Sequence, residues 1–252
     1  MASNRLLAND SKTTFMMFGK RSNKNVISLD VGSAKITEQD TQKLLGLEIA
    51  NDLKWDCHVE KLKGKLRHRL YVLRHLSQLL PKEILLQISD AIFNSQLRYC
   101  MCLFLRPRTD NSEPSNGHLN ALQKLHNDML RTATGVYRRD KINMDKLRKQ
   151  YKVMTVNQML CCSIAAETRK IVQNNTVPSL NSLFTTEKPS GMETRSKANK
   201  TLKPPKCRAR KTEGFSTYAP RIFNKLPLEI KSSTNSTDSK RKSRDWIYNN
   251  MP

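Results

Sequence analysis

No apolar run in this sequence approaches the ~18–20 residues that a membrane span needs. The most concentrated patch, CMCLFL at 100–105, is far too short. A membrane partner is therefore not expected. The N-terminal stretch MASNRLLANDSK has neither an apolar h-region nor a small-residue cleavage signature, which argues against a secretory signal. No cysteine pair has C-x-x-C spacing. Cys57, Cys100, Cys102, Cys161, Cys162 and Cys207 do not combine with the five histidines at zinc-site intervals. The expectation is free thiols in a reducing, intracellular compartment, nuclear or cytoplasmic, and no metal site. The phosphate-loop pattern G-x-x-x-x-G-K, the zinc-protease pattern H-E-x-x-H and the nucleophile elbow G-x-S-x-G are all missing. No two aspartates are adjacent anywhere in the chain. No catalytic residue can be nominated, and no small-molecule substrate is expected.

Acidic residues are scarce as well: 22 Asp and Glu face 45 Lys and Arg, a formal net charge of +23. Such a surplus says little about fold and much about partners. Nucleic acid (RNA, DNA or their hybrid) is the first candidate, ahead of an anionic membrane surface. The chain of 252 residues is long enough for one large domain or two small ones. Its apolar fraction of 37% lies below the ~45–50% usual for globular chains, so a core is not expected across the full length.

Short strand candidates come first. TTFMMF at 13–18 is rich in β-branched and aromatic residues, VISLDV at 26–31 alternates, and KLLGLEI at 43–49 follows. GKRSNKN after the first of them reads as a turn or loop. Three short strands cannot bury themselves without a further sheet or helix layer. From Asp56 the period changes. Val59, Leu62, Leu66, Leu70, Leu73, Leu76 and Leu80 recur at helical spacing, with Asp56 suited to the N-cap and Pro81 ending the run. Pro81 also suits the first turn of a second helix carrying Ile84, Leu85, Ile88, Ile92 and Tyr99. RPRTDNSEPSNG at 106–117 is a loop by composition. A third helix carries Leu119, Leu122, Leu125, Met129 and Ala133 and stops at Gly135. A fourth helical stretch spans about 144–174, with a break near Val153–Thr155. From Arg195 onward, 15 Lys and Arg stand against 4 Asp and Glu in a Pro-, Ser- and Thr-rich tail that reads as mostly irregular. An apolar island, FSTYAPRIFNKLPLEI at 215–230, interrupts it, and SKRKSRDWIYNNMP suits a short final helix. The fold class is thus α+β, mainly α. A few N-terminal strands precede a helical bundle and a basic, largely irregular tail.

Lys61, Lys63, Lys65, Arg67, Arg69 and Arg74 occupy the faces of the first helix away from its leucines. They form either a solvated surface or a groove wall that meets a phosphate backbone. Trp55 and His58, at the joint between strand and helix, either pack there or stack on a base. KPPKCRARK at 203–211 suits a solvated tail, a nuclear-import-like patch or a nucleic-acid contact.

Several stretches, in order, resemble the reverse transcriptases of non-LTR retrotransposons, the jockey-like LINE group. LLANDSKTTFMMFGK at 6–20 resembles the family segment just after the polymerase active site. KLLGLEIANDLKWDCHVEKL at 43–62 resembles the passage that leaves the palm and enters the thumb. SQLRYCMCLF, LNALQKLHNDMLRTATGV and VPSLNSLF continue the likeness. GFSTYAPRIFNKLPLEI is similar to the family's late element, with Phe223 where the family usually has Trp.

The resemblance implies three parts: 1–55 as the end of a palm, 56–184 as a helical thumb-like region, and 185–252 as a basic, partly disordered C-terminal region. It implies that the thumb holds an RNA–DNA hybrid. It places Lys12 where such polymerases carry a lysine that assists proton transfer. The family's metal-binding aspartates, including a Tyr-x-Asp-Asp turn, have no counterpart here. Mg2+ is expected only for a full-length polymerase, no cofactor is expected for this chain, and the chain alone is expected to be inactive. The alternatives are a non-functional remnant, whose orphan strands would expose apolar surface, and a helical protein-interaction module.

Overall fold

The computed structural model describes residues 12–19, 26–32, 34–110, 116–174, 184–186, 201–203, 214–233 and 235–252. It divides into two compact units, Met1–Gly64 and Lys65–Pro252. The fold is mainly α with a few short antiparallel strands near the N-terminus. Among the described residues no helix is long and apolar enough to cross a membrane.

The described residues of the first unit form two hairpins. Strands β1 (Ser28–Val31) and β2 (Ala34–Thr37) pair antiparallel, as do β3 (Thr41–Leu44) and β4 (Leu47–Ala50). The expected single strand at 43–49 is in fact the bend of the second hairpin. Leu45 (φ 48°) and Gly46 (φ 85°) both take positive φ, the pattern of a type I′ turn. Glycine tolerates that geometry because it has no Cβ, and the turn's twist matches that of the flanking strands. TTFMMF does not form a strand. Only Phe15 makes a bridge, to Glu38, and its carbonyl accepts from the Gln39 amide at 3.1 Å. The base of the second hairpin is tied by Asn51, whose amide donates to the Asp40 carbonyl at 2.9 Å and whose side chain reaches Oδ1 of Asp40 at 2.7 Å. Among the described residues each sheet has two strands, and Met17, Phe18, Val26, Leu29, Val31, Leu44, Leu45 and Leu53 are exposed.

Helix α1 covers Asp56–Leu76. Its first backbone bond runs from the Val59 amide to the Trp55 carbonyl, so Asp56 is the first helical residue rather than the cap. As an acid in the first turn it still complements the helix dipole. Val59, Leu62, Leu66, Leu70 and Leu73 are all buried, as the spacing predicts.

The second unit is a helical bundle. Helix α2 (Lys82–Ser89) is capped by Pro81, which therefore stands just outside the helix instead of in its first turn. A π-turn at Asp90–Asn94 follows, then α3 (Ser95–Arg98) and α4 (Met101–Phe104), with Cys100 left-handed between them. The π-turn inserts one residue into the helical period. It rotates the buried face, so that Phe93 and Leu97 enter the core while Tyr99, expected inside, is exposed. Helix α5 (Gly117–Thr134) is capped by Asn116 and ends at Gly135, φ 71°. Helices α6 (Met144–Tyr151) and α7 (Val156–Asn174) are separated by the expected break, with Lys152 left-handed.

Short strands β5 (Thr185–Thr186) and β6 (Leu202–Lys203) pair antiparallel. The described part of the tail is more regular than its composition suggests, forming α8 (Phe215–Lys225), α9 (Leu228–Ser232) and α10 (Ser236–Asn250). The reason is the apolar island. Ala219, Ile222, Phe223, Ile230 and Ile247 are buried, and both α8 and α10 pack on α7. Polar side chains of α7 fasten the chain's end. Asn157 Nδ2 donates to the Pro252 carbonyl at 2.8 Å, and Gln158 Nε2 to the Met251 carbonyl at 2.9 Å. Much of KPPKCRARK and VPSLNSLF, with Cys207, lies outside the described residues, as do most of GKRSNKN, the centre of RPRTDNSEPSNG and residues 6–11 of LLANDSKTTFMMFGK.

Candidate nucleic-acid interface

The six cations nominated on α1 fall into two groups. Three are held within the protein. Lys61 Nζ pairs with Glu48 at 2.9 Å, which raises its pKa, and Lys63 pairs with Glu60 at 2.5 Å. Arg69 donates to the Ile92 carbonyl and, at 3.0 Å, to Gln96 Oε1. Arg69 thus fixes α1 against the segment that contains the π-turn. The other three, Lys65, Arg67 and Arg74, are exposed and make no ion pair or side-chain hydrogen bond with any described residue.

Helix geometry sorts these three. Arg67 and Arg74 are seven residues apart, two turns and ~10.5 Å along the axis, and share one flank of the leucine stripe. Lys65 lies on the opposite flank. Tyr71 stands between the two arginines, 56% exposed, its ring 4.4 Å from that of His75 and tilted by 50°. Tyr71 was not singled out from the sequence. Its position four residues after Arg67 and three before Arg74 was the available signal, because those intervals place side chains together on a helix. The cluster offers two fixed charges and an aromatic face to solvent, which suits phosphates and an adjoining sugar or unpaired base.

Trp55 and His58 meet edge to face, with ring centroids 6.1 Å apart. His58 is buried, and its Nδ1 accepts from the Glu48 amide at 3.3 Å. Their geometry matches the packing role at the joint rather than a stacking platform. Lys12 is exposed. Phe223 is buried beneath the Lys231 ammonium, 5.7 Å from its ring centre, and burial lowers the pKa of that lysine. None of the five described cysteines is in a disulfide, and among the described residues no three His, Cys, Asp or Glu side chains converge as a metal-binding group.

A second feature, which no sequence motif marked, is a cavity of about 540 Å³ in the second unit. Residues from α2, the π-turn, α3, α7 and α8 to α10 line it, among them Ser89, Asn94, Arg169 and Phe223. Asp90, on its wall, receives hydrogen bonds from Asn94 and Arg98. Burial pushes the Asp90 carboxyl up, and those two bonds together with the positive charges of Arg98 and Arg244 outweigh it and hold the group below the usual range.

The fold and this surface define a mainly helical, strongly basic protein with a cationic helix face. No family model, no curated protein and no solved structure matches the chain.

Proposed function

We propose that this chain is the end of the palm, the thumb and the basic tail of a non-LTR retrotransposon reverse transcriptase, and that it binds nucleic acid through phosphate contacts. The observation that carries the binding reading is the α1 surface, where Lys65, Arg67 and Arg74 are exposed and unpaired among the described residues while Val59, Leu62, Leu66, Leu70 and Leu73 on the same helix are buried. Cations held out to solvent on a packed helix can each replace a counterion on a phosphate backbone without reading sequence. The motif order in the sequence supports the family reading. So do the exposed apolar side chains of the two hairpins, which suit strands that extend a larger sheet.

In this reading the chain supplies no metal-binding aspartate pair and does not polymerise by itself. Incorporation of nucleotides on an RNA template by the purified chain would contradict that. The binding reading is tested by titrating a fluorescent RNA–DNA hybrid with the full chain over a range of salt. The expected result is an affinity that falls linearly in log–log form with salt, little altered by duplex sequence. In Arg67→Gln/Arg74→Gln the slope should shrink by about 2, roughly one per phosphate contact. A flat salt response, or a double variant indistinguishable from the parent, would overturn the assignment.

The exposed apolar side chains in the first unit also favour a second reading, a marginally folded remnant. A cooperative melt from a soluble monomer would argue against it.

A further inference from the structure

The walls of the cavity in the second unit hold three polar side chains that are at least nine-tenths buried, each with one atom lacking a partner among the described residues. These atoms are Ser89 Oγ, Asn94 Oδ1 and Arg169 Nη1. Two of the three side chains are held in place by their other polar atoms. Asn94 Nδ2 donates to Asp90 at 3.0 Å. Arg169 Nε donates to Gln173 at 2.8 Å, and its Nη2 reaches the carbonyls of Ser233 and Asn235. Buried donors and acceptors without a partner are unfavourable, and three of them gather around this one cavity. The π-turn at Asp90–Asn94 forms part of the same wall, and such turns are frequent at functional sites.

The charge at the cavity points the same way. Lys152, Lys240 and Arg244 line it, are exposed, and make no ion pair with any described residue. Among the described residues the one carboxylate on its wall, Asp90, is matched by Arg98. The surplus of fixed cations exceeds what a single carboxylate would balance and suits a phosphate, which carries close to two charges and three acceptor oxygens. Met129, Phe223, Leu226 and Ile230 give the same cavity an apolar side. Its size falls within the ~300–1,000 Å³ of small-molecule sites. Cys162 also lines it, and burial pushes that thiol up to about 12, which keeps it neutral at physiological pH.

We propose that this cavity binds a small organic phosphate, its phosphate held by Lys152, Lys240, Arg244 and the spare Arg169 donor, and its body, part apolar and part hydrogen-bond donor, held against Phe223, Asn94 and Ser89. No residue of α1 lines the cavity, so the inference stands apart from the hybrid-binding reading.

Calorimetry on the full chain tests it, with AMP and glucose 6-phosphate as probes and with adenosine and inorganic phosphate as their halves. At least one organic phosphate should bind about tenfold or more tightly than either of its halves. Lys240→Gln/Arg244→Gln should weaken that binding by about tenfold or more at unchanged melting temperature. Ser89→Ala, which removes an unpartnered hydroxyl, should weaken binding without lowering the melting temperature. The Arg67→Gln/Arg74→Gln variant should bind the probe as the parent does, which separates failure of this site from failure of the α1 surface. Absence of binding by both organic phosphates, binding no tighter than that of inorganic phosphate, or a Lys240→Gln/Arg244→Gln variant that binds normally would overturn the proposal. Displacement of the probe by an oligonucleotide with a 5′-phosphate, but not by its 5′-hydroxyl form, would identify a strand end as the natural source. Lack of displacement would identify a free phosphate ester. Either result sustains the site.

Discussion

His126 sits fully buried in α5, and neither ring nitrogen has a partner among the described residues. Its pKa falls to about 3, mainly through burial, with Arg148 and Arg98 adding to the effect and Asp90 opposing it. The ring of Phe93 lies 6.4 Å away. The unfolded chain binds a proton on this histidine at a higher pH than the folded chain does. Its contribution to stability is therefore complete above about pH 6.5 and is lost as pH falls from there toward 3. Urea melts at pH 7 and pH 5 should show the parent weaker at pH 5, with the difference reduced in His126→Leu. The same substitution removes two unsatisfied nitrogens, so it should raise stability at pH 7 by about 1 kcal/mol or more. The helical spacing places position 126 between Leu122 and Leu130, in the middle of the stripe, whereas Leu125, nominated from the sequence, is only half-buried. Counting apolar residues passes over a histidine in that place, because periodicity is scored on residue type and burial follows position.

Helix α1 is the element most legible in the sequence, since its leucine period is regular and its burial follows from local geometry alone. The segment after α2 was harder to anticipate. A strict α period from Leu85 places Ser89, Ile92 and Gln96 on one face, but the π-turn adds a residue and turns Phe93 and Leu97 inward. The backbone carbonyl of Ile92 and the side chain of Gln96 are left to receive Arg69. A π-turn has no strong composition signal, so only packing reveals it. Phe93→Ala should cost about 3–5 kcal/mol in urea unfolding, as a large ring removed from a full core. Ile92→Ala, at a half-buried position, should cost clearly less. Equal losses at both positions would contradict the shifted register.

The two units differ in how their backbone is protected. Two-stranded hairpins are marginal in water, and those of the first unit leave Leu29, Val31, Leu44 and Leu45 exposed. In the second unit α7 packs against α4, α5, α8 and α10 and buries Leu160, Ile164 and Thr168. Hydrogen exchange monitored by mass spectrometry should therefore show little protection in β1 and β2 and strong protection along α7. Comparable protection in both would mean that the hairpins are stabilised by more than their own pairing. The formal charge of +23 belongs to the molecule as a whole and underlies the expected salt dependence of nucleic-acid binding.

Local sequence sets the leucine-striped helix from Asp56, the break near Val153–Thr155, the stop at Gly135 and the surplus of positive charge. Each is set by near neighbours or by composition. The tertiary structure decided which α1 cations are free, because Glu48, Ile92 and Gln96 are brought to Lys61 and Arg69 only on folding. It also decided that the basic tail ends in helices fastened to α7, through bonds such as Asn157 to Pro252, 95 residues apart. The cavity has the same origin. Ser89, Asn94, Arg169 and Arg244 share no spacing in the chain, and they meet because helices distant in sequence pack around one space.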